Sequence, residues 1–151
     1  MYQPFDSHQQ RHDHALKFLN LLYEFDDFME SIKSVADIGA GIGLDAEWWA
    51  TRTTRGDDPQ PLNIRVTAVV DTVNKAKQFQ HKNVLWQEGN VDNTQCPPGL
   101  YDVIWCHDQF QYALNPLQCL RHLNSLAVKD SMLCLTVPTT TNLQYYKHKF
   151  I

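Results

Sequence analysis

The run Val35-Ala36-Asp37-Ile38-Gly39-Ala40-Gly41-Ile42-Gly43 constrains this chain more than any other. It joins a short apolar strand to a helix through three glycines at alternate positions, with an acid near the strand's end. Glycine at such a turn tolerates positive φ and lets a ligand approach the backbone closely. An ordinary strand-to-helix connection is short and needs one glycine at most, so a turn that binds nothing is a poor account of three. A dinucleotide-binding turn has the spacing Gly-x-Gly-x-x-Gly. Gly39 and Gly41 fit it, but Leu44 stands where the last glycine belongs. Asp37 at the mouth of the loop would repel a pyrophosphate and suits a cationic amino group.

Hydrophobic periodicity supplies the rest of the architecture. Ala15, Phe18, Leu19, Leu22, Phe25 and Phe28 recur in steps of three and four, which predicts an amphipathic helix over residues 14–31. A strand over 35–38 and a helix over 44–51 flank the glycine turn. Residues 52–63, with Gly56, Pro59 and Pro61, read as an exposed loop. Strands follow over 64–70, 84–87, 101–106 and 131–137, with helices over 73–80 and 116–127. Strand and helix alternating in this way imply parallel strands joined by right-handed crossovers. The expectation is an α/β fold, a doubly wound and mostly parallel sheet with helices on both faces. One domain spans 1–151: an N-terminal segment and helix (1–31), the core (32–138) and a tail (139–151).

Asp37-x-Gly39-x-Gly41-x-Gly43 resembles the first motif of the class I S-adenosylmethionine-dependent methyltransferases. The resemblance implies S-adenosylmethionine as cofactor, held by Asp37, Gly39, Ala40, Gly41 and Gly43. Asp71, with Thr72 beside it, falls where the family places an acid that bridges the ribose hydroxyls; a solvated strand end is the alternative. Asn90 and Val91 fall at the adenine-reading segment, where the Asn90 carbonyl oxygen can accept from the exocyclic amine. The segment Tyr101-Asp102-Val103-Ile104-Trp105-Cys106-His107-Asp108-Gln109-Phe110-Gln111-Tyr112 resembles the fourth motif, strand into loop, and implies Cys106, His107 and Asp108 around the transferred methyl. His107 beside Asp108 is a candidate general base, with a surface histidine as the alternative. Tyr2, Phe5 and Arg11 are candidates to fold over the cofactor, Arg11 toward its carboxylate. The family usually completes its sheet with two further strands after the fifth, and the residues beyond 138 are too few for them. The chain is accordingly a truncation, a minimal version, or one that borrows its missing edge from a partner or a second copy.

The remaining residues narrow the function classes. A formal net charge of −4 with scattered basic residues gives no clear nucleic-acid footprint. No Asn/Asp-Pro-Pro-Tyr/Phe run is present, which argues against amino-methylation of DNA bases, and no cysteine follows a proline as cytosine C5 methylation needs. No apolar stretch spans a bilayer, and residues 1–20 do not resemble a signal peptide. Cys96, Cys106, Cys119 and Cys134 lack Cys-x-x-Cys spacing and read as buried, reduced thiols, which places the chain in the cytoplasm. His8 and His12 are four apart but have no evident third ligand, so no metal is expected. The expected function is methyl transfer to a small molecule. The alternative is a module that holds S-adenosylmethionine or S-adenosylhomocysteine without turnover and supports a partner enzyme. A nicotinamide-dependent oxidoreductase is the third reading.

Overall fold

The computed structural model describes residues 7–73 and 78–137. Two helices, α1 (His8–Tyr23) and α2 (Asp26–Ser31), precede the central strand β1 (Ser34–Ile38). The chain continues through α3 (Leu44–Ala50), β2 (Arg65–Val70), β3 (Val84–Glu88), β4 (Tyr101–His107), α4 (Pro116–Leu126) and β5 (Ala127–Thr136). The strands lie in the order β3-β2-β1-β4-β5 and every pair is parallel. From β1 the chain winds outward to β3, then returns to the other side of β1. This is the expected doubly wound sheet.

Successive residues of a strand face opposite sides, and both sides here are covered. Val35, Val103 and Trp105 pack with Ala15 and Leu19 of α1, Met29 of α2 and Trp49 of α3. Ala36, Ile38, Ile104 and Cys106 face the other way, into a cluster with Cys119, Leu123 and Leu126 of α4. A strand buried on both faces reads as a continuous apolar run rather than an alternating one. Asp37 is the exception within β1.

The helix expected over 14–31 is two helices, and it begins earlier. Ser7 caps α1, its side chain accepting from the Gln10 N–H at 3.1 Å. The first two turns are polar, so apolar periodicity does not reveal them. Glu24 closes α1, and Phe25, with ψ 89°, breaks the helix. Asp26 and Asp27 then open α2, where acids favour the positive end of the helix dipole. The fifth strand starts at Ala127 rather than 131, because α4 runs into it without a loop. The register shifts opposite Tyr101 and Val103, and Asp130 on β5 has φ 62°, as a bulge with one extra residue allows. Half of the helix expected over 73–80, residues 74–77, lies outside the described residues; residues 73 and 78–80 are in no helix. The tail is outside them as well.

The 52–63 loop is exposed at its tip but tied at its base. Thr53 bridges Pro61, the Leu62 N–H donates to the Arg52 carbonyl at 3.0 Å, and the Arg52 guanidinium lies 4.4 Å over the Trp48 ring. At the start of β1, the Asp102 carboxylate of β4 accepts from the Lys33 and Ser34 N–H groups at 2.7 and 3.1 Å. This clamp joins the two strands that flank the site. Asp102→Ala should lower stability by about 2 kcal/mol, the scale of hydrogen bonds to a charged acceptor. The change is read as a lower urea midpoint at unchanged slope.

Candidate functional site at the carboxyl edge of the sheet

In an open parallel sheet the crevice beyond the strand carboxyl ends, where the winding reverses, is the ligand site. Here that point lies between β1 and β4. Gly39, Gly41 and Gly43 have φ of 76°, 60° and 96°. The Val69 carbonyl of β2 accepts from both the Gly39 and Ala40 N–H groups, at 2.8 and 3.0 Å, and seats the turn on the sheet. Side chains of the chain itself lie on the glycine faces. A Cβ on Gly39 would overlap the Gln109 side chain, and one on Gly41 would come within 2.9 Å of His8 and 3.4 Å of Arg11. At Gly39 and Gly41, therefore, both the backbone conformation and the close approach require glycine.

Asp37 has no exposed surface, and neither carboxylate oxygen has a hydrogen-bond partner among the described residues. Burial, then the nearby Asp45 carboxylate, push its carboxyl well above the usual range, against a smaller pull from Arg11. Arg11 forms no ion pair with it, and the Arg11 Nε is buried without a partner as well. A buried acceptor and a buried donor are thus both unsatisfied at the crevice. Such groups are costly unless something pairs with them.

Two residues given no role by the sequence, Asp45 and Gln109, organise the surroundings. Asp45, in the first turn of α3, accepts from Trp105 Nε1 at 2.8 Å and lies 2.6 Å from His12 Nδ1. It precedes Trp49 by four residues, so it shares a helical face with a fully buried ring; that spacing is the signal in the sequence that it points inward. Gln109, which covers Gly39, carries no comparable signal.

His107 is not the surface histidine of the sequence reading, nor is it paired with the Asp108 carboxylate. It is 1% exposed and stacks on His14 and Trp105. Its Nε2 lies 3.2 Å from the Arg11 carbonyl, so Nε2 carries the proton. Nδ1 then accepts from the Thr136 hydroxyl at 2.7 Å, and the Thr136 oxygen accepts from the Asp108 N–H at 2.8 Å. Arg11 Nη2 returns a bond to the His107 carbonyl at 2.6 Å. With both ring nitrogens engaged, and burial pushing the pKa down to about 4, the ring is a structural strut rather than a general base. Asp108 turns at φ 56° and accepts from Gln111 Nε2 at 2.6 Å; burial raises its carboxyl.

The other expected residues divide. Asp71 and Thr72 are exposed at the carboxyl end of β2. Cys106 does not line the crevice: its side chain is buried in the cluster on the α4 face, where burial pushes its thiol up. The Asn90 amide oxygen accepts from the Asp92 and Asn93 N–H groups at 2.9 and 3.1 Å, so both of its lone pairs serve the turn. Val91 is buried against α4, its carbonyl accepting from the Cys119 thiol. Among the described residues no group of three His, Cys, Asp or Glu side chains is placed to hold a metal. Tyr2 and Phe5 lie outside the described residues.

His107 and Asp37 give opposite pH signatures. His107 has a folded pKa of about 4, below the roughly 6.5 of a free histidine. Its unfolded form therefore binds more protons between those values, and stability present above pH 6.5 is lost as pH falls toward 4. The wild type should lose up to about 3 kcal/mol relative to His107→Gln across that interval, measured by urea unfolding at each pH. Asp37 acts the other way, because a raised carboxyl destabilises the fold as pH rises. Asp37→Asn should raise the melting temperature of the ligand-free protein at neutral pH.

Residues 36–135 match the family described as "Methyltransferase domain". A comparison with curated proteins found no match. Among solved structures, the chain resembles the trans-methyltransferase CalH in complex with SAH (14% identity, TM-score 0.60, 86% of this chain and 39% of that one). It also resembles the plantazolicin methyltransferase BpumL, in complex with a monoazolic desmethylPZN analog and SAH (18%, 0.59, 83% and 49%). The YcgJ protein from Bacillus subtilis is similar to the same degree (19%, 0.58, 81% and 49%). The chain spans less than half the length of these three. With the family match, the order of the five strands and the glycine turn after β1, the chain belongs to the class I S-adenosylmethionine-dependent methyltransferase domain family.

Proposed function

We propose that the chain transfers the methyl group of S-adenosylmethionine to a small-molecule acceptor. The observation that carries this is Asp37, fully buried with both oxygens unsatisfied at the base of a turn of three left-handed glycines. The free acceptor suits a cationic amino group, and the orphaned Arg11 Nε–H suits a carboxylate; an amino-acid moiety carries both. The backbone of Gly39, Ala40, Gly41 and Gly43 would lie along the cofactor, Asp71 and Thr72 at its ribose, and Asn90 and Val91 at its adenine. In that arrangement Asn90 offers its amide Nδ2, since its oxygen serves the turn.

The sulfonium of the cofactor supplies an already activated methyl, so the chain's work is alignment and exclusion of water. A base is needed only for an acceptor that holds its proton near neutral pH. Asp108, just after β4 with a carboxyl raised by burial, would serve that role. BpumL, crystallised with a small-molecule analog, supports a small-molecule acceptor by likeness of fold alone. The free, buried thiols of Cys96, Cys106 and Cys119 support a cytoplasmic setting, and no helix among the described residues is long and apolar enough to cross a membrane. The β5 edge, with Leu133 and Val137 exposed, is where a partner chain or a second copy would pair. The second reading, a binding module without turnover, draws on the side chains that cover Gly39 and Gly41. It predicts S-adenosylhomocysteine binding with no methyl transferred.

S-adenosylhomocysteine at about 100 times its dissociation constant should stabilise the protein by roughly 2.7 kcal/mol, seen as a higher melting temperature. Gly41→Val should abolish the shift, because the side chain would occupy the backbone face proposed for the cofactor and the φ of 60° disfavours it. Asp71→Ala should weaken binding at least tenfold by calorimetry, about 1.4 kcal/mol or more. It should leave ligand-free stability unchanged, since the residue is exposed. Equal affinity in Asp71→Ala moves the ribose contact to another residue.

A further inference from the structure

The two halves of α1 are held by different physics. Ala15 and Leu19 are fully buried in the core and fix the second half. Residues 8–14 contribute no side chain to that core, and His8, Gln9, Gln10 and Asp13 are exposed. What holds this first half is the reciprocal bonds between Arg11 and His107, the stack of the His14 ring on that of His107, and the contact of His12 Nδ1 with Asp45 at 2.6 Å. The same half puts His8 and Arg11 on Gly41, across the backbone face a ligand must reach.

We infer that Asp45 is the latch of a lid formed by the first half of α1, a positioning residue that sets access to the glycine turn. Its carboxylate joins three elements at one point: α3, whose first turn it occupies, β4 through Trp105, and α1 through His12. Polar contacts at a helix end open locally at far lower cost than a buried apolar face. The lid therefore lifts by releasing His12 from Asp45 and both Arg11 and the His14 ring from His107, with Ala15 and Leu19 as the fixed side of the hinge. That lifted lid admits S-adenosylhomocysteine rests on the function proposed above; the latch does not.

The test separates the two. His12→Ala removes the latch and puts a stronger helix former into α1, so an effect through helix propensity alone would slow amide exchange in α1. The latch predicts the reverse: amides of Arg11 to His14 exchange at least tenfold faster in His12→Ala, while those of Leu19 to Leu22 do not change. Asp45→Ala should do the same, with thermal melting confirming that it is folded. In stopped-flow tryptophan fluorescence with S-adenosylhomocysteine, the wild-type rate should level off at the opening rate, and His12→Ala should raise that plateau at least tenfold. Unchanged exchange of residues 11–14 in both variants overturns the latch. Faster exchange in a protein whose wild type does not bind S-adenosylhomocysteine supports the latch and removes the proposed function.

Discussion

A carboxylate taken wholly out of water at the end of the central strand is the expense around which this domain is arranged. Asp37 sits where β1 meets the glycine turn, and no described residue hydrogen-bonds to it. An apolar residue in its place would serve the core on that face, where Val35 packs without difficulty. Burial and Asp45 favour the neutral acid there, against a smaller pull from Arg11. Arg11 is near enough to ease it, yet stays engaged with the His107 carbonyl instead of forming an ion pair. Asp45, the carboxylate that makes matters worse for Asp37, is itself tied to His12 and Trp105. Strain of this kind gathers at sites where a ligand completes the structure.

The same arrangement explains why the crevice is lined by the chain's own side chains. An exposed set of three left-handed glycines offers a backbone that nothing packs against. Gln109, His8 and, on the Gly43 side, Trp86 fill that space. Each comes from a different element, so the turn also serves as the meeting point of α1, β3 and the segment after β4.

How much of this was legible in the sequence depends on which interaction fixes each element. The central strands β1, β2 and β4 are buried and announce themselves as apolar runs; the half-exposed outer strands β3 and β5 are legible too, though β5 only from residue 131. The glycine turn was legible since spacing alone distinguishes it. The first turns of α1 were not, because a polar helix end has no period and is held by Ser7 and long-range polar contacts. Residue roles fared unevenly for the same reason. Asp37 is fixed by its place in a strand, whereas His107 could not be assigned without knowing that Thr136 and Arg11, 29 and 96 residues away, take its two nitrogens. The resemblance to the fourth motif implies Cys106 at the transferred methyl, but a motif carried over by position does not say which face of β4 a side chain takes, and Cys106 faces α4. Asn90 shows a competing local use: an amide oxygen beside a turn bonds its own backbone first.

The position of β1 in the middle of the sheet has a consequence for how the domain comes to exist. β2 is reached soon after β1 along the chain, but its other neighbour is distant: Val35 pairs with Val103 and Ser34 is bonded by Asp102, 68 residues away. Closing so large a loop costs entropy before any contact repays it, and sheets dominated by such pairings assemble slowly. On a ribosome, the strand carrying the glycine turn emerges well before the strand that completes the crevice. Until β4 arrives, β1 has one unpaired edge and Asp37 remains in water. The burial of Asp37 is thus tied to the step that docks the second half of the sheet.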